Sequence, residues 1–303
     1  MHYLIIRPGA IGDNLLCFPV IQALRAHSNS PHVTFVGNAA VLPLALDWGI
    51  AEEVSDYNSR QWSALFSTTG IHSSALQALL RDIDHVICWL RDPEQIVEHN
   101  LRSTGVQQIT IALGRPALNE SMYIVDYLAL TIQEVLPFKL FSTDFRIKGS
   151  GVSVPHIAIH PGSGGAQKCW PTAYFAHLIE ALWQRDIPVL LLAGPADVDR
   201  LADLLSQLPA PSSASLLSTL VDAPLRIVAH QLEHCRGYVG NDSGITHLAA
   251  LLAVPTIALF GPSDPVIWHP YGNTARVLYE PVLANLSINR VLSSIEEFFY
   301  CEH

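Results

Sequence analysis

Hydrophobic residues in this chain fall in short continuous runs, separated by turns rich in glycine and proline and by stretches of helical period. Residues 3–7 form the first run. It stops at Pro8, Gly9, Ala10, Ile11, Gly12 and Asp13, after which Leu15, Leu16, Val20, Ile21 and Leu24 mark one face of a helix predicted from Asn14 to about His27. Further strands are predicted at 32–36, 85–90 and 109–113, and helices near 39–48, 73–82 and 122–136; residues 52–60 read as a polar segment. In the second half, strands at 156–160, 188–193 and 236–239 alternate with helices at 173–185, 198–207, 224–234 and 245–253, while 208–218 reads as a surface loop. Buried strands alternating with helices predict parallel sheets and an α/β fold.

The chain begins again at its middle. Residues 156–160 followed by Pro161, Gly162, Ser163, Gly164 and Gly165 echo residues 5–7 followed by Pro8 to Gly12, so each half opens with an apolar strand running into P-G-x-x-G. Residues 138–155, with Gly149, Ser150 and Gly151, have the mixed polar character of a linker. Two Rossmann-like domains are expected, 1–148 and 152–285, with an amphipathic helix in 286–303.

Composition narrows the class. With 303 residues, half of them hydrophobic and 15% charged, the chain is long enough for two cored domains. No run approaches the ~20 apolar residues of a membrane span, and the N-terminus lacks the basic start and cleavage site of a signal peptide, so a cytoplasmic protein is expected. Five scattered cysteines without a C-x-x-C pair argue against a disulfide framework. The formal charge of −10 excludes nucleic acid as an expected partner, since backbone phosphates call for a basic face.

Candidate chemistry gathers at the turns that follow strands. Asn241, Asp242, Ser243 and Gly244 open a helix whose first N–H groups carry partial positive charge, a ready phosphate site; Asp242 stands where an N-cap belongs, Ser243 adds a hydroxyl, and His247 follows one turn later. The glycines at 162, 164 and 165 let backbone approach a phosphate, and Lys168, one of only three lysines in the chain, supplies a mobile cation behind them. Neither loop is a Walker A or a G-x-G-x-x-G fingerprint, so no nicotinamide site is expected. Each feature also has a plain structural role: a capped crossover for Asp242, a first-turn acid for Asp13, a solvated loop lysine for Lys168, a surface ion pair for Arg91 and Asp92.

Asp242-Ser243-Gly244-Ile245-Thr246-His247, followed by an apolar strand and Gly261-Pro262-Ser263-Asp264-Pro265, resembles the signature of glycosyltransferase family 9, the ADP-heptose:lipopolysaccharide heptosyltransferases. The resemblance implies the GT-B fold, two Rossmann-like domains with a cleft between them, and a C-terminal helix that packs back toward the N-terminal domain. It implies an inverting, metal-independent transfer of a sugar from a nucleotide diphosphate donor, ADP-heptose being favoured, to a glycan or lipopolysaccharide-core hydroxyl, without a cofactor. Asp13 matches the family's general base and Lys168 its diphosphate-contacting lysine. Gly162, Ser163, Gly164, Asp242, Ser243, Gly244 and His247 fall in the donor site and Asp197 on the nucleoside. Gly12 and Arg91 are candidate acceptor contacts. Such an enzyme works at the inner face of the inner membrane with at most peripheral contact. Residues 1–150 carry ten Lys plus Arg against fourteen Asp plus Glu, however, so a neutral glycan acceptor stays open beside an anionic core.

Other readings remain. A nucleotide-sugar 2-epimerase shares two such domains and a D-S-G turn, and a non-catalytic nucleotide-binding protein would keep the donor site alone. His230-Gln231-Leu232-Glu233-His234 matches the H-x-x-E-H zinc pattern but needs a third ligand. Asp82-x-Asp84 and Asp197-x-Asp199 match D-x-D, and two copies in unrelated places point to chance.

Overall fold

A computed structural model describes residues 1–117, 120–136 and 154–300. The chain divides into two compact units, Met1–Thr143 and Asp144–His303; up to residue 153, the expected linker lies outside the described residues.

The first unit runs β1 (His2–Ile6), α1 (Ile11–Leu15), α2 (Phe18–His27), β2 (His32–Gly37), α3 (Leu42–Asp47), β3 (Glu53–Asp56), α4 (Ser74–Arg81), β4 (His85–Trp89), α5 (Ile96–Ser103), β5 (Gln108–Ala112) and α6 (Ile124–Thr131). Its strands pair in parallel in the order β3-β2-β1-β4-β5. The apolar runs occupy the middle: Leu4, Ile5 and Ile6 of β1 and Val86, Ile87 and Cys88 of β4 have no solvent exposure. The polar segment expected at 52–60 contains an edge strand, β3, whose Glu53-Val54-Ser55-Asp56 has only β2 beside it. The single helix expected from Asn14 to His27 is two helices. Pro19 has no N–H to give and its ring would crowd the carbonyl of Leu15, so α1 closes and α2 starts afresh with proline in its first turn.

The second unit runs β6 (Val154–His160), α7 (Thr172–Trp183), β7 (Val189–Ala193), α8 (Val198–Gln207), β8 (Leu217–Val221), α9 (Leu225–Glu233), β9 (Cys235–Asn241), α10 (Gly244–Leu251), β10 (Thr256–Phe260), α11 (Pro265–Trp268), β11 (Ala275–Tyr279) and α12 (Ile288–Phe299). The parallel sheet is ordered β11-β10-β9-β6-β7-β8. Numbered within the unit this is the 3-2-1-4-5-6 order of a dinucleotide fold, whose chain reverses direction between β6 and β9. In open sheets of this kind ligands bind beyond the carboxyl ends at that reversal. The turns at 161–171 and 242–244 leave the sheet there.

The C-terminal helix is built into the second unit. Val291, Ile295 and Phe299 of α12 join the buried core of the second unit with Trp170, Phe175 and Ile257. The Phe299 ring lies where Gly237 has no side chain; a Cβ there would stand 2.5 Å from it. Burying each of these apolar side chains contributes about 1.5–3 kcal/mol, so α12 is part of this unit's own fold.

Candidate functional site

In the second unit the two turns are bound into one body by a buried amide. Asn241, with no solvent exposure, donates through Nδ2 to Pro161 O at 2.8 Å and Gly162 O at 3.3 Å, and accepts through Oδ1 from Trp170 N at 2.9 Å. Both ends of the glycine loop therefore hang from the last residue of β9. Ser163 Oγ adds a 2.6 Å bond to Asp242 O, and Lys168 Nζ a 2.7 Å bond to Asp242 Oδ2. Trp170, wholly buried against Tyr174 and Phe175, donates its indole N–H to Leu286 O and anchors the loop to the core.

The capping of α10 differs from the expectation. Ser243, not Asp242, is the N-cap, its Oγ accepting from Thr246 N at 3.4 Å. The N–H groups of Gly244 and Ile245 at the helix start have no intrahelical acceptor and form the positive end of the dipole. Asp242 turns its carboxylate to Lys168 on one side, and its Oδ1 lies 3.8 Å from His247 Nε2 on the other; both Asp242 and His247 are buried. Lys168 is over a third exposed, so its ammonium stays at the rim of the turn.

Asp197, expected on the nucleoside, is buried and already bonded. Its Oδ2 accepts from Gly194 N at 2.9 Å and lies 3.0 Å from His160 Nε2. Burial alone would raise this carboxyl, but the His160 hydrogen bond and charge, with the Gly194 N–H, hold it below the usual range. A Cβ on Gly162 would stand 1.9 Å from Asp197 Oδ1. Glycine at 162 is thus required by the neighbouring aspartate, not by a phosphate. Gly164 is the reverse: a Cβ there would meet nothing within 4 Å, so this is the glycine with open space in front of it.

In the first unit Asp13 sits in α1 on the loop after β1. Arg7 Nη2 donates to its Oδ1 at 3.0 Å, Arg7 Nε to its carbonyl at 3.1 Å, and Ala10 N to its Oδ2 at 3.0 Å. The Arg7 side chain is 4% exposed and that of Asp13 31% exposed. Each carboxylate oxygen keeps a further lone pair. Gly9 makes the approach possible with φ +131°, and a Cβ there would lie 2.8 Å from Asp13 Oδ2. Asn14, fully buried, ties the loop to the next strand by donating to Ala10 O and accepting from Asn38 N. Gly12 lies in the same helical turn. Arg91 is exposed past the end of β4, and Asp92 caps α5 by accepting from Val97 N and Glu98 N. The ion pair considered for Arg91 and Asp92 is therefore replaced by a helix cap.

The structure thus brings together Gly162, Ser163, Lys168, Asp197, Asp242, Ser243 and His247 at one sheet end of the second unit; Asp13 and Gly12 belong to the first unit. Sequence reasoning passed over Arg7, Asn14, His160 and Asn241 as functional side chains. The first and third had a signal: they fill the same place before each Pro-Gly. The rings of His230 and His234 lie 4.7 Å apart, and among the described residues no group of three or more His, Cys, Asp or Glu is placed to hold a metal.

Comparison with known proteins matches residues 60–291 to the family described as glycosyltransferase family 9 (heptosyltransferase). Lipopolysaccharide heptosyltransferase 3 of Escherichia coli is 32% identical over 127 residues, 41% of this chain and 36% of that protein. Lipooligosaccharide heptosyltransferase 2 of Haemophilus influenzae is 23% identical over 308 residues, 92% of this chain and 88% of that protein. The alignments with the first relatives span only 36 to 39% of those relatives' length. Among solved structures, the E. coli heptosyltransferase WaaC with ADP superposes with a TM-score of 0.75 at 20% identity, covering 98% of this chain and 99% of that one. The α/β fold of two Rossmann-like units is that of this structure, and the chain belongs to glycosyltransferase family 9.

Proposed function

We propose that this chain is a glycosyltransferase that moves a sugar from a nucleotide diphosphate donor, with ADP-heptose favoured, to an acceptor hydroxyl of a lipopolysaccharide core or a related glycan. The observation that carries the proposal is the cradle of the second unit, where two turns at the sheet reversal are clamped by Asn241 and present Lys168 with the N–H groups of Gly244 and Ile245. The relatives' names, lipopolysaccharide and lipooligosaccharide heptosyltransferases, and a neighbour solved with ADP support the donor and acceptor classes. Residues 152–285 bind the donor and residues 1–145 the acceptor. Asp13, fixed by Arg7 and Ala10, accepts the acceptor proton as its oxygen attacks the anomeric carbon with inversion. Charge developing on the departing diphosphate meets Lys168 and the helix start. These groups stabilise the leaving group without calling on a metal. The enzyme would act in the cytoplasm at the inner face of the inner membrane; among the described residues no helix is long and apolar enough to cross a membrane.

A transfer assay with ADP-heptose and a heptose-deficient core acceptor tests this. Asp13→Ala should lose transfer while binding ADP nearly as the parent does, and Lys168→Ala should weaken ADP binding. Transfer retained in Asp13→Ala with binding lost would overturn the assignments, and conversion of free nucleotide-sugar without acceptor would favour the epimerase.

A further inference from the structure

In the first unit a groove of about 640 Å³ runs beside α5, within the range of about 300–1,000 Å³ common for small-molecule clefts. The strand order β3-β2-β1-β4-β5 reverses between β1 and β4, and open sheets place ligands beyond the carboxyl ends at such a reversal. Asp13 follows β1, and the groove's residues from Glu94 onward follow β4. One lining residue is a buried amide. Asn100, 2% exposed, donates both Nδ2 protons, to Leu65 O and Ser67 O at 2.9 Å each, which fixes the amide's orientation and leaves Oδ1 as the open acceptor it offers to the groove. Gln95, Glu98, His99 and Arg102 also line it; spaced at three, four and seven residues, they share one face of α5. Gln95 holds φ +56°, in the left-handed region where glycine is easier, so an exposed side-chain amide is kept where glycine would relieve the backbone.

The groove is ill-suited to an anion. Asp92 already occupies the start of α5, accepting from Val97 N and Glu98 N. Arg102, the only Lys or Arg among the described lining residues, is turned onto Glu98 Oε1 through Nε at 3.0 Å and Nη2 at 2.7 Å. Glu94 then adds an acceptor and a negative charge to the same wall. Carboxylate and amide groups facing one cleft match the vicinal hydroxyls of a sugar, each of which gives a proton and accepts another, and Ile96 supplies an apolar surface for the C–H face of a ring. We propose that this groove is a subsite for an uncharged sugar residue, held by Gln95, Glu98, His99 and Asn100. That the residue belongs to the acceptor glycan rests on the reading of the first unit given above; an uncharged sugar rather than a phosphorylated one is what the groove itself selects.

Saturation-transfer NMR titrations of the full chain with glucose, galactose and mannose, each beside its 6-phosphate, test the subsite without nucleotide or transfer. At least one hexose should bind with a Kd of about 1–10 mM, and its 6-phosphate about fivefold more weakly. Gln95→Gly removes the amide and relieves the backbone, so binding about fivefold weaker with an unchanged or raised Tm cannot come from unfolding. His99→Ala, at an exposed position, should weaken binding by a similar factor. No hexose binding up to about 20 mM, a 6-phosphate that binds more tightly than its hexose, or parent-like binding in both variants overturns the inference. Transfer from ADP-heptose without hexose binding would keep the enzyme and overturn the subsite, whereas hexose binding lost in both variants, with no transfer to any glycan, would keep the subsite and overturn the enzyme.

Discussion

Arg7 and His160 hold the same place in their units, closing the first strand just before Pro-Gly, and each is buried against an aspartate. The two aspartates are reached differently. Arg7 folds onto Asp13 of its own loop, whose other oxygen takes the Ala10 N–H. The negative charge at that loop is supplied from within, so a phosphate has nothing to gain there and a half-exposed carboxylate is left facing outward. His160 reaches across to Asp197 on the neighbouring turn and leaves its other nitrogen for Ser243. There the carboxylate is buried behind the loop, and Lys168 and the α10 start supply positive charge in front. One P-G-x-x-G pattern therefore leaves a partly exposed carboxylate in one unit and a buried one behind a lysine and a helix start in the other, the arrangement the proposed base and anion cradle call for.

The comparison breaks most sharply at Asp13. Asp13→Ala is expected to slow transfer by about 10²–10⁴-fold, the usual range for a general base, with ADP affinity unchanged; single-turnover rates beside ADP titrations check both. Asn241→Leu should cost about 3 kcal/mol in urea unfolding, because it leaves the Trp170 N–H and the Pro161 carbonyl buried without partners. It should also weaken ADP binding, while Asn14→Leu should disturb only the first loop. Two glycines sharpen the contrast inside one turn: Gly162→Ala, driven against Asp197, should cost about 2 kcal/mol, and Gly164→Ala should stay within about 0.5 kcal/mol.

The smallest effect is in acid. Because Asp197 titrates below its ordinary value of 3.8, its bonds contribute stability that is complete above that pH and is lost as pH falls through the lowered folded value. Asp197→Asn should flatten this part of the acid limb, seen in thermal melts between about pH 5 and pH 2.

What could be read from the chain followed burial. The central strands were plain because Leu4 to Ile6, Val86 to Cys88 and Val189 to Leu192 are covered on both faces and read as unbroken apolar runs. The edge strands β3, β8 and β11 were missed: Glu53-Val54-Ser55-Asp56 has one partner, and Leu217 to Val221 is largely exposed, so neither run nor alternation marks them. The candidate site could be proposed from sequence where chemistry sits in turns, at Asp13, Lys168 and 242–244. It was not legible where a buried polar side chain acts at a distance. Asn241 bonds Pro161, 80 positions away, and His160 meets Asp197 and Ser243, 37 and 83 positions away, contacts that no local spacing encodes. Asp242 looked like a cap because acids favour helix starts; Ser243 won because its extended backbone places Oγ on the Thr246 N–H.

The central claim is that the turns at 162–168 and 242–244 act together on one diphosphate. A crystal structure of the protein with ADP tests it directly. The account predicts the β-phosphate within about 3.2 Å of the Gly244 N–H and of Lys168 Nζ, with the Lys168–Asp242 pair opened or shared. ADP bound with its phosphates away from both turns, or Lys168 still closed on Asp242 with no contact to the ligand, would contradict it.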